Sequence, residues 1–109
     1  MDEPVLFTQV YATVKHLHEL APRMSKVHRP TLVRRLLEAG LDLLSATTDL
    51  RFTRDRTSLF AQADRHLDAL RVLVRLCFDL KLLSGKQYER IAGELSEEGR
   101  MLGGWRRAK

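Results

Sequence analysis

Arginine is the residue type with the most chemistry to offer in this chain. Its planar, permanently charged fork suits bidentate contact with phosphate or carboxylate. Arg23, Lys26, His28 and Arg29 lead into Arg34 and Arg35, and Arg51-Phe-Thr-Arg54-Asp-Arg56 makes a second group. Arg65, Arg71 and Arg75 form a third, and Arg106, Arg107 and Lys109 close the chain. A net charge of +5 over 109 residues favours an acidic partner. For a small basic protein the commonest such partner is nucleic acid. The candidate binding residues are therefore Arg23, Lys26, Arg29, Arg34, Arg35, Arg51, Arg54, Arg56, Arg65, Arg71, Arg75, Arg106 and Arg107. Against this, Asp64, Asp68 and Asp79 share the third group's helix face, where ordinary surface pairing would neutralise it.

Other reactive groups are few. His16 and His18 stand two apart, so a helix points them in different directions, whereas a helical metal pair is spaced i, i+4. Cys77 falls on an apolar seam and reads as a small buried hydrophobe. No phosphate loop, nucleophile elbow or paired catalytic carboxylates occur, so neither an enzyme nor a metal or organic cofactor is expected. One cysteine cannot form an internal disulfide, and no basic region followed by an apolar run opens the chain. No uncharged apolar stretch approaches the roughly 20 residues that span a bilayer. The expectation is a cytoplasmic protein without a membrane partner.

The elements that must position these arginines are helices. Apolar residues recur at helical spacing in four blocks, about 3–20, 30–50, 58–81 and 85–105, followed by a basic tail at 106–109. The first places Leu6, Phe7, Val10, Tyr11, Val14, Leu17 and Ala21 on one face and is stopped by Pro22. The second starts near Pro30, and Leu32, Val33, Leu36, Leu37, Leu41, Leu43 and Leu44 spread over about half its circumference. The third carries a seam of Phe60, Ala63, Leu67, Leu70, Val74 and Cys77, with Val72, Leu76 and Phe78 outside it. The fourth opens with Ser84 and Gln87 in a reciprocal capping pattern and has Tyr88, Ile91, Leu95 and Leu102 as its stripe. Short connections make one up-and-down antiparallel four-helix bundle over residues 1–109 the economical topology. Spare apolar surface on the second and third helices predicts a homo-oligomer, which would repeat each basic patch and bind multivalently.

The last helix holds a strip of small residues. Ala92, Ser96, Gly99 and Gly103 follow at i, i+4, i+7 and i+11, a spacing that lets another helix approach closely. Trp105 lies round the wheel from them, where a large amphipathic ring can anchor the helix end.

Several of these residues form an ordered set. Pro4-Val5, Tyr11, Arg29-Pro-Thr31-Leu32, Arg35-Leu36, Leu70-Arg71-Val-Leu-Val-Arg75-Leu76, Asp79-Leu-Lys-Leu-Leu83-Ser84, Gln87-Tyr88 and Gly99-Arg-Met-Leu-Gly-Gly-Trp105 span nearly the whole chain. The set resembles the accessory variability determinant proteins of diversity-generating retroelements. The four-helix proteins encoded by intervening sequences of 23S ribosomal RNA genes are the nearest alternative. The resemblance implies a pentameric basic barrel, non-catalytic itself, that binds the retroelement's reverse transcriptase. It also implies binding of template RNA, cDNA or their hybrid and support of mutagenic cDNA synthesis. With no aromatic stacking platform evident, base-specific reading is not expected. The third arginine group is expected to contribute, so exchanging Arg71 and Arg75 for Glu should weaken RNA binding. Two positions depart from the pattern: Pro30 stands for an aromatic residue, and Glu98 for an aliphatic one. The first leaves the shape of the second helix's entrance open, and the second implies that this edge of the fourth helix is exposed.

Overall fold

The computed structural model describes residues 2–52 and 56–108. Four long helices occupy almost all of it: α1 (Asp2–Leu20), α2 (Arg34–Phe52), α3 (Thr57–Asp79) and α4 (Gly85–Ala108). Each packs along its two neighbours in the cyclic order α1, α2, α3, α4, which is the arrangement of an up-and-down bundle. The body measures 43 × 24 × 19 Å.

Local chemistry fixes where each helix starts and stops. Pro22 follows α1 within a tight turn of 3-10 helix at Ala21–Arg23, and a second such turn covers Lys26–His28. The chain then enters α2 through a wide π turn, Arg29–Val33, in which Pro30 takes an early position where a missing N–H costs nothing. That turn settles the shape of the entrance: the regular helix begins at Arg34, four residues after the proline. At the end of α3 the N–H of Leu82 reaches the carbonyl of Cys77 at 2.8 Å, and that of Lys81 reaches Phe78 at 2.9 Å. This is a Schellman cap, with Lys81 in the left-handed region at φ 66°. Ser84 and Gln87 then cap α4 reciprocally, at 2.8 and 3.1 Å.

The core runs the length of the bundle. Leu6, Val10, Val14 and Leu17 of α1 meet Leu36, Leu43 and Leu50 of α2. From the other side come the whole seam of α3, Phe60 to Cys77, and Ile91, Leu95 and Leu102 of α4. Trp105 is also buried, its indole edge-on to Phe60 with ring centroids 5.4 Å apart. Tyr11 is a correction to the expected core face of α1: it is 54% exposed and only flanks Phe7.

Apolar surface remains outside this core. Val72 and Leu76 on the exposed side of α3 and Leu80 at its C-cap follow at four-residue spacing. On the opposite, α1–α2 side, Ala21, Pro22, Val33, Leu37 and Leu41 line a groove of about 540 Å³. Among the described residues no helix is long and apolar enough to cross a membrane.

Candidate functional site

The 18 residues from Leu20 to Leu37 contain Arg23, Lys26, Arg29, Arg34 and Arg35 but no Asp or Glu. The other 14 Lys and Arg equal the 14 Asp and Glu in number, so the formal net charge of +5 is the charge of this one segment. The fold gathers it at one end of the bundle, in the two 3-10 turns, the π turn and the first turn of α2. Buried Met24 pins the loop, while Val27 stands 78% exposed between its basic neighbours.

The arginines of this end divide by task. The Nε of Arg29 donates to the carbonyl of Met24 at 3.3 Å and its Nη2 to that of Pro22 at 2.6 Å, so its guanidinium ties the loop to itself. Arg34 pairs with Glu38 at 3.2 Å. Arg23, Lys26 and Arg35 are exposed and make no ion pair with the described residues. Their charge is uncompensated.

The third arginine group is largely neutralised. Arg71 pairs with Asp68 at 3.2 Å and Arg75 with Asp79 at 3.8 Å, both along α3. Arg106 of α4 reaches across to Asp64 at 2.8 Å. Exposed pairs of this kind add about 1 kcal/mol or less to stability, but they do cancel the local field. Arg65 and Arg107 remain exposed without an ion pair to the described residues.

The small-residue strip lies beside this group. A Cβ on Gly99 would collide with the guanidinium of Arg71, whose Nη2 also donates to the carbonyl of Leu95 at 3.3 Å. Ala92 and Ser96 line a shallow groove with Arg71, Val72 and Arg75, and Gly103 has only Arg107 near it. At Gly99 the space is thus filled by an arginine side chain.

The second group is organised by aromatic rings. Arg51 places its guanidinium carbon 4.6 Å from the centroid of Phe7 and 5.5 Å from that of Phe52. Arg56 does the same over Trp105 at 5.2 Å. Arg54 and Lys109 lie outside the described residues.

Sequence reasoning missed one site. Glu98 is not on an exposed edge: it is 1% exposed, and the correction follows from its position between Leu95 and Leu102 on the buried stripe of α4. The hydroxyl oxygen of Thr13 lies 2.7 Å from Glu98 Oε2 and 2.8 Å from Glu94 Oε1. A hydroxyl has a single proton, so hydrogen bonds to both carboxyl groups require a further proton on one of them. Glu94 is paired with Arg90 at 3.1 Å, whereas Glu98 Oε1 is buried with no partner among the described residues. The proton belongs on Glu98, which then donates to Thr13, which donates to Glu94. Burial raises the Glu98 carboxyl to about 7; the charge of Glu94 adds to this, while a Thr13 hydroxyl turned to donate to the ionised form, and Arg71, oppose it.

Cys77 is buried and its thiol is pushed up to about 11 by desolvation. His16 lies 4.0 Å from Glu19. Among the described residues no three His, Cys, Asp or Glu side chains come together as a metal site.

A family model described as bAvd-like matches residues 5–109. No curated protein and no solved structure matches the chain.

Proposed function

The chain belongs to the bAvd-like family, an accessory and non-catalytic type, and from that premise we propose that it serves a diversity-generating retroelement by binding nucleic acid and the reverse transcriptase. The observation that carries this reading is the acid-free segment from Leu20 to Leu37, which gathers five basic residues at one end of the bundle. Arg23, Lys26 and Arg35 are the leading phosphate ligands, because no acid among the described residues pairs with them. Arg71 and Arg75, tied to Asp68 and Asp79, rank second. Template RNA, cDNA or their hybrid is the ligand, held by its backbone and carried to the polymerase.

The same reading includes a ring of identical subunits, five by the family resemblance. The aliphatic row of Val72, Leu76 and Leu80 and the groove lined by Leu37 and Leu41 are unlike faces on opposite sides of the bundle. Unlike faces make head-to-tail contacts, which close into a ring when the rotation between subunits closes. A ring repeats the basic end once per subunit, and the copies act together on one polyanion.

Fluorescence anisotropy with a labelled single-stranded RNA at two salt concentrations tests the binding. The parent protein should lose affinity as salt rises. Arg23→Glu with Arg35→Glu should reduce both the affinity and the salt slope, the slope by about 0.7 for each phosphate that is no longer neutralised. Binding that ignores salt, or that survives this double charge reversal unchanged, would refute the reading. Leu76→Glu tests the ring: light scattering should show the assembly reduced to smaller species.

A further inference from the structure

From the aromatic cluster at the far end of α1 and α2 we infer that this protein has a stacking site for unpaired nucleobases, distinct from its basic end. Tyr11, Phe7, Arg51 and Phe52 form one continuous patch: the rings of Tyr11 and Phe7 are 6.1 Å apart, and Arg51 lies over both Phe7 and Phe52. The cluster joins residues 40 and more positions apart in sequence, so it is a product of α1 packing against α2 and no local motif announces it. It supplies the platform that the sequence alone did not reveal.

Three properties select a base as its occupant. Phe52 is 78% exposed and Tyr11 54%, so both residues are open to solvent, whereas Trp105 and Phe60 are buried. The patch also contains a guanidinium, and a planar cation among aromatic faces attracts both the π surface of a base and the phosphate beside it. A second copy of the chain is better matched by the row of Val72, Leu76 and Leu80, which is purely aliphatic.

Position supports the assignment. Phe7 lies 13 residues before the end of α1, about 20 Å along the helix axis from where the basic connection begins. A single strand held by its phosphates at Arg23 and Arg35 would run along α1 to reach the rings. Stacking of this kind tolerates any base, so it fits a protein that must hold a template of varied sequence. This inference rests on the nucleic-acid reading above.

The test uses Phe52→Ala and Tyr11→Ala, both exposed and both replaceable without opening the core. Four labelled probes of equal length are titrated: oligouridylate, oligothymidylate, an abasic single strand and an RNA duplex. Expected is a loss of about tenfold in affinity for the two base-bearing single strands, with the abasic strand and duplex bound as by the parent. Equal losses for RNA and DNA strands fit a site that recognises bases alone. Unchanged oligouridylate binding by both variants overturns the stacking site but leaves the basic end intact. So does a parent protein that binds the abasic strand as tightly as oligouridylate. Loss of reverse-transcriptase capture with oligouridylate binding unchanged also overturns it, in favour of a protein contact. A parent that binds none of the four probes overturns both readings.

Discussion

Replacing Glu98 should make the protein more stable, and only above mildly acidic pH. Its carboxyl is raised from 4.5 to about 7, a displacement of about 2.5 units. At 1.36 kcal/mol per unit this is a penalty of about 3 kcal/mol for ionising the folded protein. The folded state holds its proton more tightly than the unfolded chain. Stability is therefore fully present below about 4.5 and is lost as pH rises through 7, with about 2 to 3 kcal/mol lost between pH 5 and 8. The groups that face Glu98 are Thr13 on α1, Arg71 on α3 and Glu94 on α4. Glu98→Leu should remove the dependence and add about 3 kcal/mol at pH 8, because an aliphatic side chain fits the stripe between Leu95 and Leu102. Urea unfolding at pH 5, 6, 7 and 8 reads this directly as the difference between parent and variant. Carboxylates remote from Glu98 contribute equally to both proteins and cancel. If the two midpoints run parallel with pH, the proton does not reside on Glu98 and the hydrogen-bond reasoning fails.

Three further outcomes can be checked. Lys81→Gly should stabilise the fold by about 1 kcal/mol in thermal unfolding, since Lys81 holds φ 66° at the cap of α3, where a side chain is strained. Trp105→Ala should cost about 3 to 5 kcal/mol by the same assay, because its packing on Phe60 disappears. Cys77 should react with a thiol reagent only as fast as the protein opens, because it is buried and its thiol is raised to about 11. Rapid labelling under native conditions would contradict that.

The bundle was legible because its signals are local and repeated. The α3 seam from Phe60 to Cys77 alternates with charged positions, so a single face was available to be buried, and all six seam residues are buried. The Ser84 and Gln87 cap was readable from four consecutive residues. Tyr11 was misplaced because a helical wheel sorts residues by angle alone. It lies beside Phe7 at the rim of the bundle, where Arg51 and Phe52 end the packing.

Glu98 was misplaced for a different reason: a carboxylate standing for an aliphatic residue was read as an exposed edge, although Leu95 and Leu102 flank it on the buried stripe. The partner that lets it stay, Thr13, is 85 residues away in sequence. Among the arginines, the pairs Arg71 with Asp68 and Arg75 with Asp79 were foreseeable from i, i+3 and i, i+4 spacing. The hold of Arg29 on two loop carbonyls was not, because backbone acceptors leave no trace in residue identity.

The concentration of charge between Leu20 and Leu37 has a mechanical consequence. In a body 43 Å long, an acid-free segment at one end concentrates positive potential there. Near a polyanion the field exerts a torque that swings the loaded end inward, so encounters begin tip first. At physiological ionic strength the field decays over about 8 Å, so this alignment takes hold only in the final approach.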